Sequence, residues 1–293
     1  MLFRSLVKPF TLADIGPKLR SAFAKFHNPA NPERVYQLAK VALRNNKLDQ
    51  AEAIYRDLAS NGLKAARPLV GLARIEVKRG DAKKALRYLA EAEAKNPNFV
   101  HLYSERAMIY VQQSLWPQAV ENFRAAIKLS PLNALRYKGA ADILFKMKRY
   151  DEAVELLEAA AGHQLHFPDL FHLLSQGKFA LRDYKAAQKY IKLALATDSE
   201  NPTYLNQLGI CLKETGQMDE ALKVYNQVIK TDPQNRDALF NKAILQHARG
   251  ECEDAVKILE RLVRKAPDFA MAKAKLEEYN NELNKAAAKN GAA

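Results

Sequence analysis

Shifted against itself by 34 residues, the sequence from residue 32 to residue 269 stays in register without a gap. The copies start at Pro32, Ala66, Val100, Ala134, Pro168, Pro202 and Arg236, giving windows 32–65, 66–99, 100–133, 134–167, 168–201, 202–235 and 236–269. A chain written this way repeats one small unit whose apolar face only its neighbours can cover. The twentieth place is alanine in all seven windows: Ala51, Ala85, Ala119, Ala153, Ala187, Ala221 and Ala255. The eighth is Ala39, Ala73, Ala107, Ala141, Ser175, Gly209 and Ala243, small enough to let two helices cross closely. Large groups fill the fourth place (Val35, Leu69, Tyr103, Tyr137, Phe171, Leu205, Leu239) and the twenty-fourth (Tyr55, Leu89, Phe123, Leu157, Ile191, Tyr225, Leu259).

Places 4, 8 and 10, then 17, 20, 24 and 27, recur at helical spacing and predict two amphipathic helices of about 14 residues per window. At the fifteenth place Asn46, Gly80, Gly216 and Gly250 suit the left-handed conformation that ends a helix. Asn31-Pro32 and Asn201-Pro202 supply an N-cap and a first-turn proline, while Pro97, Pro131, Pro233 and Pro267 stop the preceding helix.

These columns closely resemble the tetratricopeptide repeat family, over 238 of 293 residues. The resemblance implies an all-α fold: a right-handed superhelical solenoid of seven helix-turn-helix repeats, first helices lining the concave side. Place 7 departs from the family's leucine at Arg106, Ala140 and Lys242, and place 32 from its proline at Leu63, Leu165 and Ser199. Residues 270–293 read as a capping helix over 270–285, with Ala272, Leu276, Tyr279 and Leu283 on one stripe, followed by a frayed tail.

Residues 1–31 stand apart. In LVKPFTLADIGPKLRSAF an apolar run meets Lys8-Pro9-Phe10, and Thr11 can cap a helix carrying Leu12, Ile15 and Leu19. The stretch resembles the last strand and helix of a response-regulator receiver domain, which would make Lys8 its phosphate-contacting lysine and the following X-Pro bond cis. The family's phosphoacceptor aspartate would lie upstream of Met1, so the resemblance implies a truncated receiver-repeat protein within bacterial two-component signalling. An accidental basic amphipathic leader is the alternative.

No apolar run approaches the roughly 18 residues of a membrane span, and Arg4 and Lys8 interrupt any secretory core. Cys211 and Cys252 are the only cysteines, both in apolar columns, which reads as buried inert thiols in a cytoplasmic protein. Phosphate-cradling, dinucleotide, zinc-protease and nucleophile-elbow motifs are missing. His163, His166 and His172 are too loosely spaced to read as a metal site. A non-enzymatic protein without cofactor or metal is the expectation.

Function then falls to a surface. Places 2, 5, 9, 12 and 13 of each first helix are free of the packing columns and, by the resemblance, line the groove. Early windows place Lys40, Arg44, Arg67, Arg74 and Lys78 there, middle ones Met108, Val111, Lys138, Phe145 and Phe179. Residues 1–99 hold +10 of the net charge of +13. The expected partner is a protein or peptide segment with acidic and hydrophobic residues, held by an adaptor. Nucleic-acid binding is the rival, opposed by the lack of a repeated base-reading pair, and a merely solvated basic face is the plainest alternative. The family's chaperone-binding members grip a C-terminal carboxylate with Lys and Asn at places 5 and 9, Asn at place 6 of the next repeat, then Lys and Arg at places 2 and 6. Lys138 is followed here by Asp142, Leu173, Thr203 and Gln207, so that clamp is not expected.

Overall fold

The computed structural model describes residues 31–61, 66–165 and 169–290, and among these every regular element is an α-helix. The chain divides into two compact units, Met1–Pro131 and Leu132–Ala293. The described part of the first holds three helix pairs: α1 (Pro32–Arg44) with α2 (Leu48–Asn61), α3 (Ala66–Arg79) with α4 (Ala82–Lys95), and α5 (Val100–Gln112) with α6 (Trp116–Leu129). The second holds four: α7 (Ala134–Lys146) with α8 (Tyr150–Gly162), α9 (Leu170–Ala180) with α10 (Tyr184–Leu195), α11 (Pro202–Glu214) with α12 (Met218–Thr231), and α13 (Arg236–Ala248) with α14 (Cys252–Lys265). A last helix, α15 (Ala270–Asn290), follows. The receiver-like stretch, the link residue Leu63 and His166 lie outside the described residues.

The alanine column explains the pairing. All seven place-20 alanines are fully buried, and so are the place-8 residues, because here the two helices of a pair cross too closely for a larger side chain. Tyrosine at place 24 needs extra room, found in two ways. In the first unit the Tyr55 ring rests on Gly71 of α3, where a Cβ would stand 2.5 Å from its Cζ. In the second the Tyr225 ring rests on Gly209 of its own pair, where a Cβ would stand 2.4 Å from its Cε1.

Turns within pairs share one geometry. Asn46, Gly80, Gly216 and Gly250 have φ between 57° and 84°, and the other three place-15 residues, Ser114, Lys148 and Arg182, adopt positive φ as well. Between pairs, the side chains of Asn31, Asn133, Asn201 and Asn235 accept backbone N–H bonds at the starts of α1, α7, α11 and α13. Where place 32 lacks proline, at Leu165, Gln164 turns at φ 55° and the Leu165 N–H bonds to the Ala160 carbonyl. Arg106, one of the place-7 departures, donates to the Glu93 carboxylate (2.6 Å) and the Leu89 carbonyl (3.3 Å), so the missing leucine is replaced by a polar clasp on α4.

A further clasp repeats in both units: the place-14 arginine pairs with the place-18 aspartate of the previous pair, Arg79 with Asp49 (2.7 Å) and Arg249 with Asp219 (2.5 Å). Arg79 also reaches Glu52 and the buried Glu76, which Lys84 approaches to 2.8 Å. At the C-terminus α15 runs through Asn290, beyond the expected end at residue 285, because Ala286 to Lys289 are strong helix formers. Its Ala272 and Tyr279 are buried, and His247 stacks on Tyr279 with ring centroids 3.6 Å apart.

In the first unit Arg67, Arg56 and Arg106 hold the carboxyls of Glu33, Glu52 and Glu93 below their ordinary value of 4.5. A folded-state value depressed this way contributes stability that is present above the unfolded value and lost as pH falls through the folded one. Amide protection of α1 to α5 should therefore decline as pH drops below about 4.5. Hydrogen exchange across that range checks it; unchanged protection at about pH 3 would contradict it.

Candidate partner-binding surfaces

In the first unit the first helices bring three of the expected residues around one cavity. Lys40, Arg67 and Arg74 line it with Tyr36, Val70, Phe99 and His101, around a space of about 170 Å³. The Arg67 guanidinium lies 3.9 Å above the Tyr36 ring and grips Glu33 with both nitrogens (2.6 and 3.1 Å). Arg74 meets Glu105 at 2.5 Å. The basic face is thus partly neutralised from within, and among the described residues Lys40 makes no ion pair. Because Arg67 and Arg74 are oriented by their carboxylates and half-buried, they are positioned donors rather than loose surface charges.

The other expected residues fall elsewhere. Lys78 donates from Nζ to the Leu43 carbonyl at the end of α1 (3.1 Å), which ties α3 to α1. Arg44 is exposed at the last turn of α1. On α5, Met108 is half exposed and Val111 half-buried, and neither lines the cavity. In the second unit Lys138 lies between Asp169 (3.3 Å) and Asp142 (3.7 Å). Phe145 and Phe179 are half-buried, packed on Tyr150 and Tyr184 at the turn of their own pairs with centroids 6.0 and 5.1 Å apart. Place 12 is therefore covered from below by the aromatic at place 17, and less free than its position in the period implies.

A second cavity, of about 280 Å³, was not foreseen. It lies in the second unit among His172, Gln176, Thr203, Asn206, Gln207, Ile210, Asp237, Phe240, Asn241, Phe269 and Met271. Seven of these eleven, His172, Gln176, Thr203, Asn206, Ile210, Asp237 and Phe240, stand at the groove places 2, 5 and 9, but a search for clustered cations passes over amides. Burial pushes the His172 imidazole below the usual histidine range. Asn206 is nearly buried, donating from Nδ2 to Asn235 at 3.3 Å.

Burial pushes the Cys211 thiol up to about 11, away from the thiolate that nucleophilic attack requires. Cys252, expected to be buried as well, is only half-buried, since it opens α14 at the turn of its pair. Among the described residues no group of three or more His, Cys, Asp or Glu could hold a metal ion, and no helix is long and apolar enough to cross a membrane.

Models of the tetratricopeptide repeat match residues 36–98 and 104–164 in one form, and residues 178–233 and 214–276 in another. The chain belongs to the tetratricopeptide repeat family. Families of this kind serve as protein-binding scaffolds. Hsp70-Hsp90 organizing protein 3 of Arabidopsis thaliana is 33% identical over 79 residues, 27% of this chain and 14% of that protein. The TPR repeat-containing protein YpiA of Bacillus subtilis (strain 168) is 22% identical over 142 residues, 48% of this chain and 34% of that protein. This repeat chain thus spans well under half the length of either relative. Among solved structures, YrrB, a TPR protein with an unusual peptide-binding site, superposes with a TM-score of 0.54 at 24% identity, covering 64% of this chain and 97% of that one. The C-terminal part of a TPR repeat-containing protein from Cytophaga hutchinsonii gives 0.63 at 13% identity, covering 82% and 99%. At these identities the likeness shows the fold alone.

Proposed function

We propose that this tetratricopeptide chain is a non-enzymatic adaptor that holds an extended partner segment against the first-helix face of its first unit. The observation that carries the reading is the cavity where Lys40, Arg67 and Arg74 converge beside Tyr36 and Phe99. Two oriented guanidinium groups and one ammonium suit a carboxylate-bearing segment, and the aromatic walls suit an apolar side chain next to it. Arg44 and Lys78 extend the positive field along the same two helices, and it favours encounter with an acidic segment.

Nucleic acid is the weaker fit, because the cations of this cavity are not accompanied by a base-reading pair repeated from window to window. Chaperone tails ending in EEVD are not proposed as ligands, although relatives bear the name of Hsp70-Hsp90 organizing proteins. The lysine that would begin that clamp, Lys138, is already engaged by Asp142 and Asp169. The only support for a role in bacterial two-component signalling is the stretch Leu6 to Ile15, and the cytoplasm is proposed on cysteine usage alone.

Selection of random displayed peptides on the full chain tests the reading. Enriched sequences should combine Asp or Glu with an aromatic or large aliphatic residue, and should compete with one another for one site. Enrichment without acidic residues, or binding only of nucleic acid with a steep salt dependence, would contradict it.

A further inference from the structure

The amide-lined cavity of the second unit occupies the places of the cationic cavity of the first, four windows further along the chain and with its charge reversed. Six of the seven residues lining the first cavity map without a gap onto residues lining the second. Lys40, Arg67 and Arg74 become Gln176, Thr203 and Ile210, so every lysine and arginine is lost. His101 becomes Asp237, the one carboxylate of the second lining, while Tyr36 and Val70 become His172 and Asn206. Burial lowers the His172 imidazole, which therefore adds no positive charge at neutral pH.

Two acceptors in this cavity are unmet. Among the described residues Asp237, in the first turn of α13, makes no ion pair. Arg236 stands beside it in the chain, but that guanidinium is held by Asp268 (3.2 Å) and lies 4.6 Å over the Phe269 ring. Asn206 is 7% exposed, and its amide orientation is fixed. The Asn235 oxygen it meets at 3.3 Å also accepts the Ala238 N–H, and an oxygen has to be met by a donor, here Nδ2. The Asn206 Oδ1 is left without a partner, a costly state for a buried acceptor. Ile210, Phe240, Phe269 and Met271 add apolar walls.

We propose that this cavity takes an arginine side chain, or less well a lysine, from a partner segment, with the cationic head at Asp237 and Asn206 and the stem along Phe240. A guanidinium brings only donors, which is what two unmet acceptors require, and its plane lies well on an aromatic ring, as Arg236 already shows on Phe269. At about 280 Å³ the cavity falls below the roughly 300–1,000 Å³ of sites that enclose a whole small molecule, so it suits one side chain of a larger partner. This site is independent of the acidic-segment site in the first unit and stands if that one fails.

End-labelled, amidated pentapeptides of one sequence, with leucine and phenylalanine flanking a central arginine, lysine, citrulline or glutamate, test this by fluorescence anisotropy on the full chain. The arginine peptide should bind about fivefold tighter than its citrulline counterpart, which keeps the shape and loses the charge. Asp237→Asn should abolish that difference, and Lys40→Glu should leave it intact. Equal binding of the arginine and citrulline peptides, no saturable binding of either, or a preference that survives Asp237→Asn would overturn the proposal. Loss in Lys40→Glu alone would overturn it too, by moving the peptide to the first unit's cavity. Asp237 is exposed, so its variant should unfold at the parent's midpoint; if the midpoint falls, Asp237→Ser replaces it and the same comparison decides.

Discussion

Replacing Gly209 by alanine should destabilise the second unit by about 2 kcal/mol, although alanine is the better helix former by about 1 kcal/mol. The new Cβ would stand 2.4 Å from the Tyr225 ring, which is fully buried and has no free volume to move into. The other accommodation in this molecule, a glycine at place 6 of the following pair as Gly71 provides for Tyr55, is closed to Tyr225 because Asn241 occupies that place. The effect should be specific to the tyrosine. Alanine at place 8 coexists with leucine at place 24 in Ala73/Leu89, Ala141/Leu157 and Ala243/Leu259, all of them buried. Gly209→Ala combined with Tyr225→Leu should therefore recover most of the loss, with a coupling of at least about 1 kcal/mol in a double-mutant cycle. Additive losses in denaturant titrations would show that the two side chains do not compete for the same space.

The second large effect has the opposite sign. Ser114, Lys148 and Arg182 hold φ of 57°, 57° and 62° with exposed side chains, where Gly80, Gly216 and Gly250 hold 83°, 79° and 84°. An L-residue pays roughly 1–2 kcal/mol to sit in the left-handed region, and glycine gives back roughly half through the greater freedom of its unfolded state. Changing all three to glycine should thus raise stability by about 2 kcal/mol in total, distributed over both units. Gly80→Ala should do the reverse, at a cost of about 1 kcal/mol. A triple variant no more stable than the parent in thermal and denaturant unfolding would mean that the turns relax without strain.

What the sequence reveals and what it conceals follows from the same period. The alanine column, the asparagine caps and the link prolines name themselves, because each position demands one kind of side chain. The left-handed turns at Ser114, Lys148 and Arg182 do not, since nothing in those side chains calls for positive φ. Only their shared place with Gly80 and Gly216 betrays them. The cationic cavity was half legible: Lys40, Arg67 and Arg74 stand out as charges, yet their neutralising partners required reading across copies. Glu33 lies one full period before Arg67, at the same place in its window, and could have been found that way. The amide-lined cavity around Asn206 holds no lysine or arginine and only one carboxylate, Asp237, so it shows no cluster of charge, and Phe145 and Phe179 misled because a period shows which face a residue occupies but not what packs beneath it.

The adaptor reading is tested most directly by titrating one selected acidic peptide into the full chain and into its Lys40→Glu variant by calorimetry. Lys40 is the residue to change, because Arg67 and Arg74 also serve the fold through Glu33 and Glu105. Binding through this cavity predicts an affinity lower by about tenfold or more in the variant, with unfolding midpoints unchanged, since a charge-assisted contact is replaced by repulsion. Equal affinity for both chains would place the partner elsewhere and contradict the account.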